Sequence, residues 1–314
     1  MKTVKLLIVA IVAIASHAQA FAQGQMVMAT GPIGGAWYPI GTAFVSLLQA
    51  KAGVAFTQQP GGGVSNVLNV GAGKSQLGFT TSSVAGSAIH GTDDFANRPQ
   101  KDLRLIAALY PQELVIVTFA DSPIHSIEDI KGHVLQTTAR GTSTELLVRR
   151  LVEANGLTYK DFKSVNFSNL TDGANQMKDG QIDAMAQLLA NPASFALDLE
   201  SSKPIRLVPV SDAVATKVVQ AHPGYVKTVI KGGTYASVKS DTPTVGEPVL
   251  LVARADLDEG LVYKITKTLF ENRDDVAKVH GVMKNFTPAF AVASPVIPIH
   301  PGALRYYREI HAVK

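Results

Sequence analysis

Short runs of apolar and β-branched residues recur along the chain with helix-like segments between them, and this alternation constrains the fold more than any other feature. The runs are Met26 to Ala29, Val54 to Gln58, Leu77 to Thr80, Leu103 to Leu109, Leu114 to Phe119, Val134 to Thr137, Ser164 to Phe167 and Ile205 to Val210. Strands alternating with helices predict an α/β fold with mainly parallel sheets. The helical segments carry end signals. Pro39 stands where a first-turn proline starts a helix through Phe44, Val45, Leu47 and Leu48. Ser126 and Asp129 have capping-box spacing ahead of Ile130, with Gly132 as the stop. Thr142 or Ser143 is placed to cap a helix from Thr144 to Asn155, which Gly156 ends.

Ahead of the first run, Met1-Lys2-Thr3-Val4-Lys5 leads into an apolar stretch from Leu6 to Ala15 and the triplet Ala18-Gln19-Ala20. A basic start, an apolar middle and a small-residue cleavage site read as a secretory signal peptide, residues 1–20. Cleavage is expected after Ala20 or, as second choice, after Ala22. The apolar stretch is short of the roughly 20 residues that span a bilayer, and no later run is long enough. Loss of two lysines brings the net charge from +4 to +2, with 27 basic residues against 25 acidic ones.

Charged residues make up only 17% of the chain, and no basic cluster interleaves with aromatics, so no nucleic acid partner is expected. The absence of cysteine excludes disulfides, thiolate metal sites and cysteine nucleophiles. The 294 residues after the signal exceed one ordinary core and predict two lobes. Gly71-Ala72-Gly73-Lys74-Ser75 imitates a phosphate-binding loop, but the earlier glycine that the motif requires is Leu68, and a helix stop explains the segment better. Zinc, hydrolase and dinucleotide signatures are absent. Asp93, Asp94, Asp274 and Asp275 read as solvated charges, and His125 and His133 as surface residues. No catalytic residue, metal or cofactor is expected.

Three loops at strand-to-helix junctions hold the candidate chemistry. In the first, Gly34, Gly35, Ala36, Trp37 and Tyr38 combine glycines that let a ligand approach the backbone with the free N–H groups of a helix start; the alternative is a plain turn with core-filling aromatics. The second, Thr81-Ser82-Ser83, offers hydroxyls that donate and accept hydrogen bonds, or serves only as an N-cap. The third, Arg140-Gly141-Thr142-Ser143-Thr144, adds a guanidinium able to grip a carboxylate in bidentate fashion, unless Arg140 is a solvated loop charge or pairs with an acid. All three lie at carboxyl ends of strands, where open α/β sheets bind ligands.

Taken together, Thr30 to Gly41, Gln59-Pro60-Gly61-Gly62-Gly63-Val64-Ser65-Asn66, Gln76 to Phe79, Leu103 to Pro111, Ser126 to Gly132, Gly141 to Thr144, Asp179 to Ala184 and Ile299-His300-Pro301-Gly302-Ala303 with Tyr306-Tyr307 resemble the TAXI family of TRAP-transporter solute-binding proteins. The resemblance runs in order through nearly the whole chain after the signal. It implies a type II periplasmic-binding-protein fold, two α/β lobes with a ligand cleft between them. Lobe 1 is expected over 24–112 plus 244–314, and lobe 2 over 113–243. It also implies a periplasmic receptor for glutamate, 2-oxoglutarate or related small carboxylates, delivering a small anionic organic solute to the membrane subunits of a TRAP permease.

By the same resemblance the three loops line the cleft. Relatives often carry Gln-Ser-Asp where this chain has Thr81-Ser82-Ser83, and a neutral residue where it has Arg140. The lost acid and gained arginine favour a dicarboxylate or keto acid over an amino acid. Asn191, in Ala190-Asn191-Pro192, either contacts ligand or only starts the next helix at Pro192, and His300 is expected to be structural at the start of the last helix. A monomer is expected. The competing functions are a periplasmic sensor partnering a signalling receptor and an enzyme on the same fold.

Overall fold

The structure is a computed structural model that describes residues 26–33, 35–293 and 295–313. The expected signal peptide and Gly34 lie outside the described residues. In chain order the strands are β1 (Met26–Ala29), β2 (Phe56–Gln59), β3 (Leu77–Thr81), β4 (Leu103–Phe119), β5 (Val134–Thr137), β6 (Ser164–Phe167), β7 (Ala184–Leu189), β8 (Ile205–Leu207), β9 (Val226–Ile230) and β10 (Thr242–Arg254). The helices used below are α1 (Trp37–Leu47), α2 (Gly63–Gly71), α3 (Ser82–His90), α4 (Ser143–Ala154) and α5 (Pro301–Glu309).

The sheet runs β2-β1-β3-β10-β4-β7-β5-β6, with β8 on β4 and β9 on β10. β1, β2 and β3 are parallel, as are β5, β6 and β7. Between these groups run β4 and β10, long and antiparallel to each other. The two runs Leu103 to Leu109 and Leu114 to Phe119, expected as separate strands, are one 17-residue strand. Pro111 between them reads as a breaker because it lacks an N–H. It faces Pro248 of β10, equally without a donor, so the ladder forms no N–H···O bond between these two residues.

That proline pair divides the packing. Buried core residues on one side of it come from 28–110 and 249–307, and on the other from 114–245. One buried residue crosses: Leu146 of α4 packs in the first lobe's cluster with Val64, Val67 and Val84. The register brings the parallel strands of both lobes to the same place. Thr81 at the end of β3 lies opposite Val249, beside Pro248, and Leu189 at the end of β7 lies opposite Glu113, two residues from Pro111. The carboxyl ends of both strand groups therefore converge on the crossing, where α/β sheets present their loops to ligands.

Candidate functional site

The loop after β1 is tied down before it can present anything. Asn66 of α2 donates to the carbonyls of Thr30 (2.7 Å) and Phe79 (2.8 Å), joining β1 to β3. The Gln58 amide donates to Thr30 Oγ1 and to the Tyr38 carbonyl, both at 2.9 Å. Gly31 is required here, since a Cβ on it would lie 2.5 Å from Trp37 Cβ. Trp37 is half-buried, edge-on to Phe79 at 6.1 Å, and Gly35, Ala36 and Tyr38 are half-buried beside it. Tyr110, on β4 next to Trp37, is buried with its hydroxyl unpaired, and burial pushes that phenol well above its ordinary range.

Thr81 occupies the N-cap position of α3, yet its hydroxyl makes no capping bond. The cap comes from across the sheet: Glu247 of β10 accepts from the Ser83 backbone N–H at 2.8 Å. Ser82 Oγ donates to the Gly224 carbonyl at 2.7 Å. Thr81 Oγ1, Ser83 Oγ and Glu247 Oε1 lie together, and none makes an aligned hydrogen bond. Burial drives the Glu247 carboxyl up to about 7, the bonds from Ser83 offsetting only part of the desolvation.

The third loop comes from the second lobe. Thr142 caps α4, accepting from the Glu145 N–H at 3.2 Å, and Gly141 takes φ +82, a left-handed turn that suits glycine. Ser143 is buried with its hydroxyl unpaired, and Thr144 accepts weakly from the Leu188 N–H at 3.4 Å. Ser143 faces the first lobe closely enough that a Cβ on Gly63 would stand 2.4 Å from its hydroxyl. Thr137, ending β5, is a further buried hydroxyl without a partner.

Arg140 is exposed at the rim, its guanidinium 4.8 Å from the Phe167 ring centre and 5.9 Å from that of Tyr159. Asn191 is half-buried and tied to protein partners: its amide donates to Glu113 at 2.9 Å and accepts from the Tyr235 hydroxyl at 2.6 Å. The following helix starts at Ser194, not at Pro192. His300 caps α5, accepting from Gly302 N–H. Of the residues read from the sequence, the geometry thus sets Trp37 beside Tyr110, Thr81 and Ser83 beside Glu247 and Ser143 against Gly63, with Arg140 at the edge and Asn191 in a protein network.

Four participants were not foreseen: Glu247, Arg150, Tyr225 and Asp93. Asp93 is not the solvated charge expected. Its side chain is only 18% exposed and pairs with Arg150, whose side chain is 2% exposed. Burial alone would raise the Asp93 carboxyl, but the bond from Ser87 and the charge of Arg150 outweigh it and hold it below the ordinary range. Arg150 also donates to Tyr225 (3.0 Å) and Ser87 (3.1 Å). The available signal was the spacing of Ser143, Leu146 and Arg150, which puts all three on one helix face.

Among the described residues, no cluster of histidine and acid side chains fits a metal ion, and no helix is long and apolar enough to cross a membrane. The chain matches the model of the NMT1-like family over residues 28–310. Its fold is similar to that of MatC from Rhodopseudomonas palustris with bound malate, at TM-score 0.57 and 15% identity, covering 92% of this chain and 99% of that one. It is also similar to XAC2383 from Xanthomonas citri bound to ATP (TM-score 0.50, 14% identity, 92% and 96% covered). The periplasmic aliphatic sulphonate binding protein SsuA from Escherichia coli matches at TM-score 0.48 and 15% identity, with 91% and 82% covered.

Proposed function

The chain belongs to the NMT1-like family, and on that premise we propose that it is an exported periplasmic receptor of the TAXI type, capturing a small anionic organic solute for a TRAP permease. The observation that carries this reading is a group of buried hydroxyls at the strand ends of both lobes, Thr137 and Ser143 without a partner and Thr81, Ser83 and Tyr110 with no aligned hydrogen bond. Buried polar groups are normally hydrogen-bonded, so an array of orphans at one place calls for an occupant. Hydroxyls donate well to carboxylates, and MatC, on the same fold, holds malate.

Ligand contacts with both lobes favour the shut arrangement by differential affinity, and the permease receives the shut form. Lobe 1 is taken as residues 24–112 with 244–314, and lobe 2 as 113–243.

The test is a thermal-shift screen of protein unfolded and refolded to strip bound solute, run against dicarboxylates, 2-oxo acids, amino acids, sugars and nucleosides. A dose-dependent rise in midpoint with a carboxylate, as binding linkage requires, is the expected result. Stabilisation by a sugar or nucleoside alone overturns the anionic ligand class.

A further inference from the structure

One stripe of α4, made by Ser143, Leu146 and Arg150, is turned away from its own lobe and laid against the other. Ser143 meets Gly63, and Leu146 is buried among Val64, Val67 and Val84. Arg150 reaches Ser87 of α3 and the carboxylate of Asp93 just beyond it. A second contact reinforces the first. Ser82 donates to the Gly224 carbonyl, and a Cβ on Gly224 would lie 2.6 Å from the Ser82 carbonyl carbon. Tyr225, next in the chain, takes the Arg150 guanidinium over its ring at 5.4 Å and bonds it through its hydroxyl. The first lobe's α3 is thus held on one side by α4 and on another by residues 224–225.

We propose that this seam is a latch that holds the two lobes shut before solute arrives, with the Asp93–Arg150 pair as its fastening and the facing Pro111 and Pro248 as its hinge. The contacts that close it are all protein to protein and need no ligand. The hinge sits where the ladder has no N–H to give on either strand, so bending there breaks no donor's bond. A receptor whose binding-competent state is already populated loses little affinity to the closing step, whereas one that is mostly open has its apparent affinity reduced by the competent fraction. The latch rests on the receptor reading for its purpose, but not on the identity of the solute.

Because the chain has no cysteine, a single engineered pair reports closure cleanly. A Cβ on Gly62 would lie 4.0 Å from Thr142 Cγ2 in the shut form, so the two positions face each other closely enough for a disulfide to form after adjustment of the loop. The experiment measures the oxidation rate of Gly62→Cys/Thr142→Cys in refolded, solute-free protein. It repeats this with Asp93→Asn and, separately, Ser87→Ala added, with far-UV circular dichroism as the control for folding.

Rapid cross-linking that slows about fivefold or more with Asp93→Asn, and less with Ser87→Ala, is the expected result, since removing one partner of a buried pair is strongly unfavourable. Slow cross-linking of the otherwise unaltered protein, or a rate unchanged by both substitutions, overturns the latch. If Asp93→Asn fails to fold, the Ser87→Ala rate decides alone. Failure of every solute in the thermal screen leaves this measurement untouched, so the two readings fail separately.

Discussion

The two lobes meet along two seams of opposite character. Where the strand-end loops face each other, Gly62 and Gly63 against Gly141 to Ser143, the surfaces are neutral and leave Ser143 and its neighbour Thr137 without partners. Where α4 and residues 224–225 meet α3, the surfaces are charged and the Arg150 fork and Asp93 are engaged by Tyr225, Ser87 and each other. The difference teaches a division of labour. Full charges inside the protein answer one another across the lobes, because an unpaired buried charge is costly. Uncharged hydroxyls are cheaper to leave without partners, and they are the groups that the proposed solute would engage.

The comparison breaks most sharply at Arg150. Replacing it with alanine leaves Asp93 and Tyr225 facing a void at the charged seam, and a loss of about 3 kcal/mol in stability is expected from the removal of one partner of a buried pair. The urea midpoint checks this. A loss below about 1 kcal/mol, the scale of an exposed pair, would show the charged seam to be no different from a surface contact.

Glu247 sharpens the same contrast through pH. Its carboxyl rises from an ordinary 4.5 to about 7 in the folded protein, so between those values the native state holds a proton that the unfolded chain has released. Stability therefore falls as pH rises through that window and levels off above about 7, by an amount on the order of 2 to 3 kcal/mol. Asp93, lowered by its partners, acts in the opposite sense: its contribution is present above 3.8 and is lost as pH falls through its folded value. Unfolding curves at several pH values should show both limbs. In Glu247→Gln the falling component between 4.5 and 7 should be lost, leaving the opposite rise contributed by His222, His280 and His300, whose burial lowers them, while the acid limb stays.

At the neutral seam the expected effect is on binding, not stability. Ser143→Ala or Thr137→Val removes a hydroxyl that has no partner within the protein, so the unfolding midpoint should hold steady or rise slightly. Affinity for the stabilising carboxylate should fall about tenfold, the scale of one hydrogen bond to a charged group. Titration calorimetry separates the outcomes, and unchanged affinity in both variants would remove the orphan hydroxyls from the site.

The same contrast explains what could be read from the chain alone. Runs such as Met26 to Ala29 and Val134 to Thr137 coincide with strands because local pattern and burial agree there, and Ser164 to Phe167 does so as an edge strand that buries nothing. β10 was missed because Pro243, Gly246 and Pro248 interrupt it, and only its pairing with β4 and β9 shows why they are tolerated. The neutral loops were legible since each is contiguous in sequence. The charged seam was not: Asp93, Arg150 and Tyr225 come from three distant segments, and each resembles an ordinary residue until the lobes are brought together.

Arg140 tests whether the division holds at the rim, where the smallest effect is expected. The sequence left open a bidentate grip on a carboxylate, which would cost more than tenfold in affinity when truncated. The structure instead leaves the guanidinium exposed over Phe167 and Tyr159, and an exposed charge acts mainly by steering an anion toward the cleft. Arg140→Ala should then lower the association rate about threefold at low ionic strength, with the difference fading as salt screens it. Stopped-flow binding across a salt series distinguishes the roles. A salt-independent loss in the dissociation rate would mean that Arg140 leaves its aromatic shelf to hold the solute, and that one full charge belongs to the ligand's side of the interface after all.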